Sequence, residues 1–215
     1  MREDSTKHKI IEAAGPIFAE VGFENGTVRD ICRAADVNVA SIKYYFGDKK
    51  NLYLETVLYA RQSRADRYPF PGWSEDTPAE AQLYDFVSSL LRRLTVLQGA
   101  PWQVNLLMRE LMKPNEACRV IVQEYFQPMF RGLMALIDQL VKCPLKEEDR
   151  LKIGFSIIGQ CLHYRYGTAV MDLMVPAGLR DSFEIEQLAD HITKFTMHGL
   201  ENYSEQQMPS QGESD

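Results

Sequence analysis

Three residues suited to capping a helix, Thr27, Asn38 and Asp48, follow one another at intervals of ten or eleven positions, and this spacing allows only short helices between them. The oxygen of such a side chain accepts a hydrogen bond from a free backbone N–H two or three residues on, satisfying a donor that the helix itself leaves unpaired. Thr27 is followed three residues later by Asp30, the spacing of a reciprocal capping pair. Asp36-Val37 reads as a turn, and Phe46-Gly47 closes the next helix. Val28, Ile31, Cys32 and Ala35 supply an apolar face to the first helix. Residues 27–53 therefore read as two short helices joined by a tight turn, then the start of a third.

The rest of the chain also has helical periodicity. Ile10, Ile11, Ala14, Ile17, Phe18 and Val21 follow 3-4 spacing after a cap at Ser5 or Thr6, and Gly22 is expected to end that helix as a left-handed cap. A long helix with Leu52, Leu54, Val57 and Leu58 turned inward starts after Asp48. It is separated from the later helices by YPFPGWSEDTP, residues 68–78. Further helices are expected at about 79–98, 101–113, 115–142, 147–167 and 184–203, with Pro114 separating two of them and a kink at Pro128. Residues 168–183 read as an irregular connection, and 205–215 as a disordered tail. The fold class is all-α: a helix-turn-helix module over 1–50, then a larger helical domain over 51–204 whose first part, 51–66, is a linking helix.

Composition narrows the function. Apolar residues make up 45% of the chain, enough for a sizeable core, yet no uninterrupted run reaches the ~18 that a membrane span needs. The polar start, MREDSTKHK, lacks the apolar region of a secretory signal, so a cytoplasmic protein with no membrane partner is expected. Cys32, Cys118, Cys143 and Cys161 have no CxxC spacing and read as reduced thiols. His191 and His198 share a helical face, but no third ligand joins them, so neither a metal nor a cofactor is expected. No Ser/His/Asp spacing, glycine-rich phosphate loop, HExxH or paired-carboxylate motif marks an enzyme. The net charge is −6, unevenly spread: residues 1–67 hold 11 Lys and Arg against 10 Asp and Glu, while 68–215 hold 13 against 20. A near-neutral N-terminal module can still bind DNA when its cations share one face, because phosphate contacts are local.

In a helix-turn-helix the second helix enters the major groove while the first braces it. Here Ile31, Ala35, Val37 and Ile42 face inward, and Ala40 is expected where the two helices approach closely. Val39, Ser41, Lys43 and Tyr44 then point outward or sideways. Lys43 can donate to guanine O6/N7 or to phosphate, and Val39 can touch a thymine methyl. Thr27, Tyr45 and Lys49 sit where phosphates would pass, two of them at helix starts whose free N–H groups attract anions. Arg29, Asn38 and Lys50 complete the expected DNA face.

The stretches IIEAAGPIFAEVGFENGTVRDICRAADV and NVASIKYYFGDKKNLYLETV resemble the N-terminal domain of the TetR family of bacterial transcriptional regulators. That resemblance implies phosphate contacts from Thr27, Tyr45 and Lys49, with Val39, Ser41, Lys43 and Tyr44 facing bases or backbone. Phe46, Lys49 and Lys50 match the family's Phe and following Lys. Lys43 departs from it, standing where Tyr is common, so the usual Tyr contact does not carry over. NVASIKYYFGDKKNLYLE, together with MRELMKPNEACRVIVQEYFQPMFRGLMALI and IIGQCLHYRYG, is similar to the branch with a CecR-type C-terminal domain.

The larger domain has two expected uses. Helix 147–167 is apolar around most of its circumference and helix 184–203 carries one apolar stripe, so Ile157, Cys161, Tyr164, Ile185, Leu188, Ile192 and Phe195 are the candidate homodimer interface. The resemblance implies a four-helix interface of this kind, and a two-fold dimer would suit a palindromic double-stranded operator. Trp102, Met108, Arg109, Met112, Tyr125, Phe126, Met129, Phe130 and His163 are candidates for binding a small-molecule effector. Apolar walls with a few polar groups describe a pocket and equally an ordinary core. An amphiphilic or aromatic effector, its polar end held by Arg109 or His163, would release a repressor from DNA by favouring another dimer state.

Overall fold

The computed structural model describes residues 2–97, 100–112, 116–141 and 143–206. Among them every regular element is helical, as the all-α reading requires. The helices are α1 Arg2–Asn25, α2 Val28–Ala35, α3 Val39–Phe46, α4 Lys49–Arg67, α5 Ala79–Thr95, α6 Pro101–Met112, α7 Glu116–Ile121, α8 Gln127–Leu140, α9 Glu147–Tyr166, α10 Thr168–Met174 and α11 Ile185–Gln206. A π-helical turn, Val122–Phe126, follows α7, and a 3₁₀ segment, Ala177–Phe183, precedes α11.

Contacts divide the chain into two compact units that do not follow chain order. One holds residues 1–68 and 97–126, the other 69–96 and 127–215. In the first, Ile10, Ala14 and Phe18 of α1, Ile31 and Ala35 of α2, Ile42 and Phe46 of α3, and Leu52, Tyr53 and Val57 of α4 form one core. Each large apolar side chain buried this way contributes about 1.5–3 kcal/mol. Trp102 and Leu106 of α6 and Ile121 of α7 enter that same core. Trp102 lies against α1 at Gly15, where a Cβ would come within 2.4 Å of the indole. Its ring stacks on Tyr59 of α4, with centroids 6.3 Å apart. The expected linking helix, 51–66, is part of α4 and packs within this unit.

In the second unit α5 packs against α8, α9 and α11. Its core is built from Leu83, Val87 and Leu91, with Leu133 and Ile137 of α8, Ile157 and Cys161 of α9, and Ile192 of α11.

Several local expectations change. Gly22 does have a positive φ of 79°, but its ψ of −179° lies outside the left-handed helical region. The backbone kinks there, and one more helical turn runs to Asn25. Only glycine adopts that combination readily. Most of 168–183 is helical rather than irregular; α10 buries Met171 and leaves the stripe of Val170, Leu173 and Met174 exposed. The distortion expected at Pro128 takes the form of the π-helical turn just before it, in a run that is helical without a break from 116 to 140. Pro114 and most of the expected tail, from 207 onward, lie outside the described residues, while Glu205 and Gln206 end α11.

Candidate nucleic-acid interface

Helix α3 is held at both ends by local hydrogen bonds. The Asn38 side chain accepts from the Ser41 backbone N–H at 3.0 Å and from the Ser41 hydroxyl at 3.2 Å. At the other end Gly47, with φ 78°, donates its N–H to the Lys43 carbonyl at 3.0 Å. Helix α2 starts from Thr27, whose hydroxyl accepts from the Asp30 N–H at 3.1 Å and donates to the Asp30 carboxylate at 2.6 Å. It stops at Asp36, which is left-handed with φ 48°. Asp48 caps α4 by accepting from the Asn51 N–H at 2.8 Å. The caps expected at Thr27, Asn38 and Asp48 are made, whereas neither Ser5 nor Thr6 is the cap of α1, because that helix already starts at Arg2 and both lie inside it.

With its ends fixed, α3 has a defined inner and outer side. Ile42 and Phe46 are buried in the core, whereas Val39 is 59% and Tyr44 71% exposed. Ala40 and Lys43 are exposed as well. Side chains three or four residues apart lie on one helix face, so Val39, Ala40, Lys43 and Tyr44 form one outward strip. Ala40 is thus on the outer face and not at the close approach of α2 and α3; the inner contacts come from Val37 and Ile42. Tyr45 is half-buried against the core and meets the Tyr44 ring edge-on, centroids 4.9 Å apart.

Around the strip, Arg29 and Lys50 are exposed. Lys49 is turned toward the end of α1: its Nζ donates to the Glu24 carbonyl at 3.1 Å and lies 4.6 Å from the centre of the Phe23 ring. The cation therefore neutralises carbonyls at one helix end while standing at the N-terminus of another.

The candidate effector residues fall in both units. In the first, Trp102 and Met108 are buried, Met112 is 70% exposed, and Phe126 packs on the core. Arg109 donates to the Glu20 carbonyl at 3.1 Å, beside the Gly22 kink. Arg61 stacks on the Tyr125 ring. Glu110, next to Arg109 in the chain, is buried and accepts from the Tyr53 hydroxyl. Nothing in its spacing marks that pairing, which joins residues 57 positions apart. In the second unit Phe130 stacks on Phe155 with centroids 4.9 Å apart, Met129 is half-buried, and His163 is exposed beside Tyr164.

The candidate interface residues also divide. Ile157, Cys161, Leu188 and Ile192 are 0–7% exposed inside the protomer, so they are covered before any partner arrives. Tyr164 and Ile185 are half-buried, and Phe195 is 64% exposed. Between α9 and α11 an open groove is lined by Lys152, Ser156, Gln160, Phe195, Thr196, Gly199 and Tyr203. Burial pushes the Cys161 thiol up to about 12, which keeps it protonated and unreactive. Cys32 is also buried and unpaired, Cys143 is unpaired, and the side chain of Cys118 lies outside the described residues.

Residues 10–56 match the family model for bacterial regulatory proteins of the tetR family, and residues 79–200 match the C-terminal domain of the HTH-type transcriptional dual regulator CecR. CecR of Shigella flexneri is 26% identical over 176 residues, covering 78% of each chain. The probable HTH-type regulator YttP of Bacillus subtilis is 54% identical over 48 residues, 22% of this chain and 23% of its own. A TetR-like regulator from Rhodococcus sp. RHA1 superposes with a TM-score of 0.62 at 19% identity, over 91% of this chain and 96% of the other.

Proposed function

Because the chain belongs to the TetR family of bacterial regulatory proteins, with a C-terminal domain of the CecR type, we propose that it is a repressor whose homodimer binds a palindromic operator and is released by a small molecule. Regulators of this family bind DNA and act as dimers. The observation that carries the reading is the outward strip of α3, with an exposed cation and an exposed aromatic ring on a short helix capped at both ends. Phosphate neutralisation by Arg29, Lys43, Lys49 and Lys50 would supply affinity, and the strip would supply selectivity.

The outer faces of α9 and α11, with Phe195 at their centre, are the proposed dimer contact. The effector is proposed to be amphiphilic or aromatic. An effector competing for Arg109 would remove a hydrogen bond from the Glu20 carbonyl and so act on α1 within the unit that carries α3. Repression accords with the behaviour expected from the family resemblance.

Binding of the duplex upstream of the protein's own coding region, titrated with salt, tests the DNA reading. Selective binding lost in Lys43→Ala or Tyr44→Ala supports it, and weak, unselective binding erased by salt refutes it. Thermal-shift screening of the parent, Arg109→Ala and His163→Ala proteins tests the effector site; a ligand whose shift survives both changes refutes those roles.

A further inference from the structure

The first turn of α3 differs from the rest of its outer face in polarity. Residues at the start of a recognition helix approach base edges most closely. From the sequence, Asn38 and Ser41 are the polar groups there. In the structure both turn onto the helix cap: Asn38 Oδ1 accepts from the Ser41 N–H and from the Ser41 hydroxyl. The side chains left facing outward in that turn are Val39, 59% exposed, and Ala40, also exposed. Both are apolar and lie side by side, one turn before Lys43.

Among the bases, only thymine offers an apolar group, its 5-methyl, in the major groove. We propose that Val39 and Ala40 read thymine methyl groups, so that each operator half-site places thymines opposite the start of α3, beside the position served by Lys43. This rests on the DNA-binding reading above and adds the chemistry of the sequence recognised. It also gives Ala40 a part in specificity. A serine or asparagine oxygen aimed at the groove would favour other bases, and here Asn38 Oδ1 and the Ser41 hydroxyl are engaged with each other in the exposed cap. The contact is apolar and needs no water or ion, so it should persist at salt concentrations that weaken phosphate contacts.

The test uses the full-length protein and the duplex of highest affinity selected from random-sequence DNA. Each thymine of one half-site is replaced in turn by uracil, which removes the methyl group and leaves base pairing and charge unchanged. Affinity is measured by fluorescence anisotropy. The expected result is a loss of about fourfold at each contacted thymine, the scale of one methyl group left in water. Val39→Ala and Ala40→Gly should each abolish the uracil penalty at one position while the penalty at the other remains. Selective binding that is indifferent to uracil at every thymine overturns the proposal and leaves the regulator reading standing. Failure to select any preferred duplex overturns both.

Discussion

Helices α3 and α6 belong to the same compact unit and share its core, yet they use similar residues in opposite directions. Helix α3 turns Val39, Lys43 and Tyr44 to solvent. Helix α6 turns Trp102 and Met108 inward and directs Arg109 to the Glu20 carbonyl. An aromatic ring and a cation on a short helix therefore do not reveal which way they point. The direction comes from what the neighbouring helix offers. Gly15 on α1 leaves a space that the Trp102 indole fills, whereas Tyr44 is 71% exposed. Inward groups should act on stability and outward groups on DNA recognition.

The largest expected effect is at the inward site. Trp102→Ala empties the space between α1 and α4 and should lower unfolding free energy by about 3–5 kcal/mol. Urea denaturation measures this; a loss below about 1 kcal/mol would mean that α6 is not part of that core. Filling the space from the other side is the next test. In Gly15→Ala the new methyl group collides with the indole, and a destabilisation of about 1–3 kcal/mol is expected in the same assay. Were Gly15→Ala neutral or stabilising, α6 could not lie as close to α1 as described.

Smaller effects belong to the outward helix. Asn38→Ala removes the acceptor for the Ser41 N–H and should cost about 1 kcal/mol of stability, read as a shift in the denaturation midpoint. An unchanged midpoint would indicate that the cap is not formed in solution. Smallest of all, Val39→Ala and Lys43→Ala should each stay within about 0.5 kcal/mol of the parent protein. A larger loss from either would place these side chains in the core and remove the contrast between the two helices.

Much of this was legible in the sequence because it is local. Caps at Thr27, Asn38 and Asp48 each involve a residue three positions on, so their chemistry is written side by side in the chain. Periodicity identifies an apolar face but not its partner. Trp102 and Arg109, candidates for an effector site, pack on or bond to α1, and Ile157, Cys161, Leu188 and Ile192, candidates for an interface, are covered within their own protomer; the spacing alone does not show these contacts. Ala40 shows the same limit on a smaller scale: a small residue is compatible with close packing and equally with exposure. The hydrogen bond from Tyr53 to Glu110 has no local signature in the sequence. Helix α10 spans only Thr168–Met174, about two turns, and its apolar stripe of Val170, Leu173 and Met174 faces solvent, so too short a periodic segment marks it in the sequence.

The outer face of α3 is proposed to confer sequence selectivity on DNA. The most direct measurement compares the affinity of the parent protein and of Lys43→Ala/Tyr44→Ala for the selected duplex and for a scrambled duplex of the same length, across a salt series. The parent should prefer the selected duplex by about 10³-fold or more. The double variant should lose most of that preference while keeping its thermal midpoint and a weak, salt-sensitive affinity for both duplexes. A double variant that discriminates between the duplexes as well as the parent does would contradict the account.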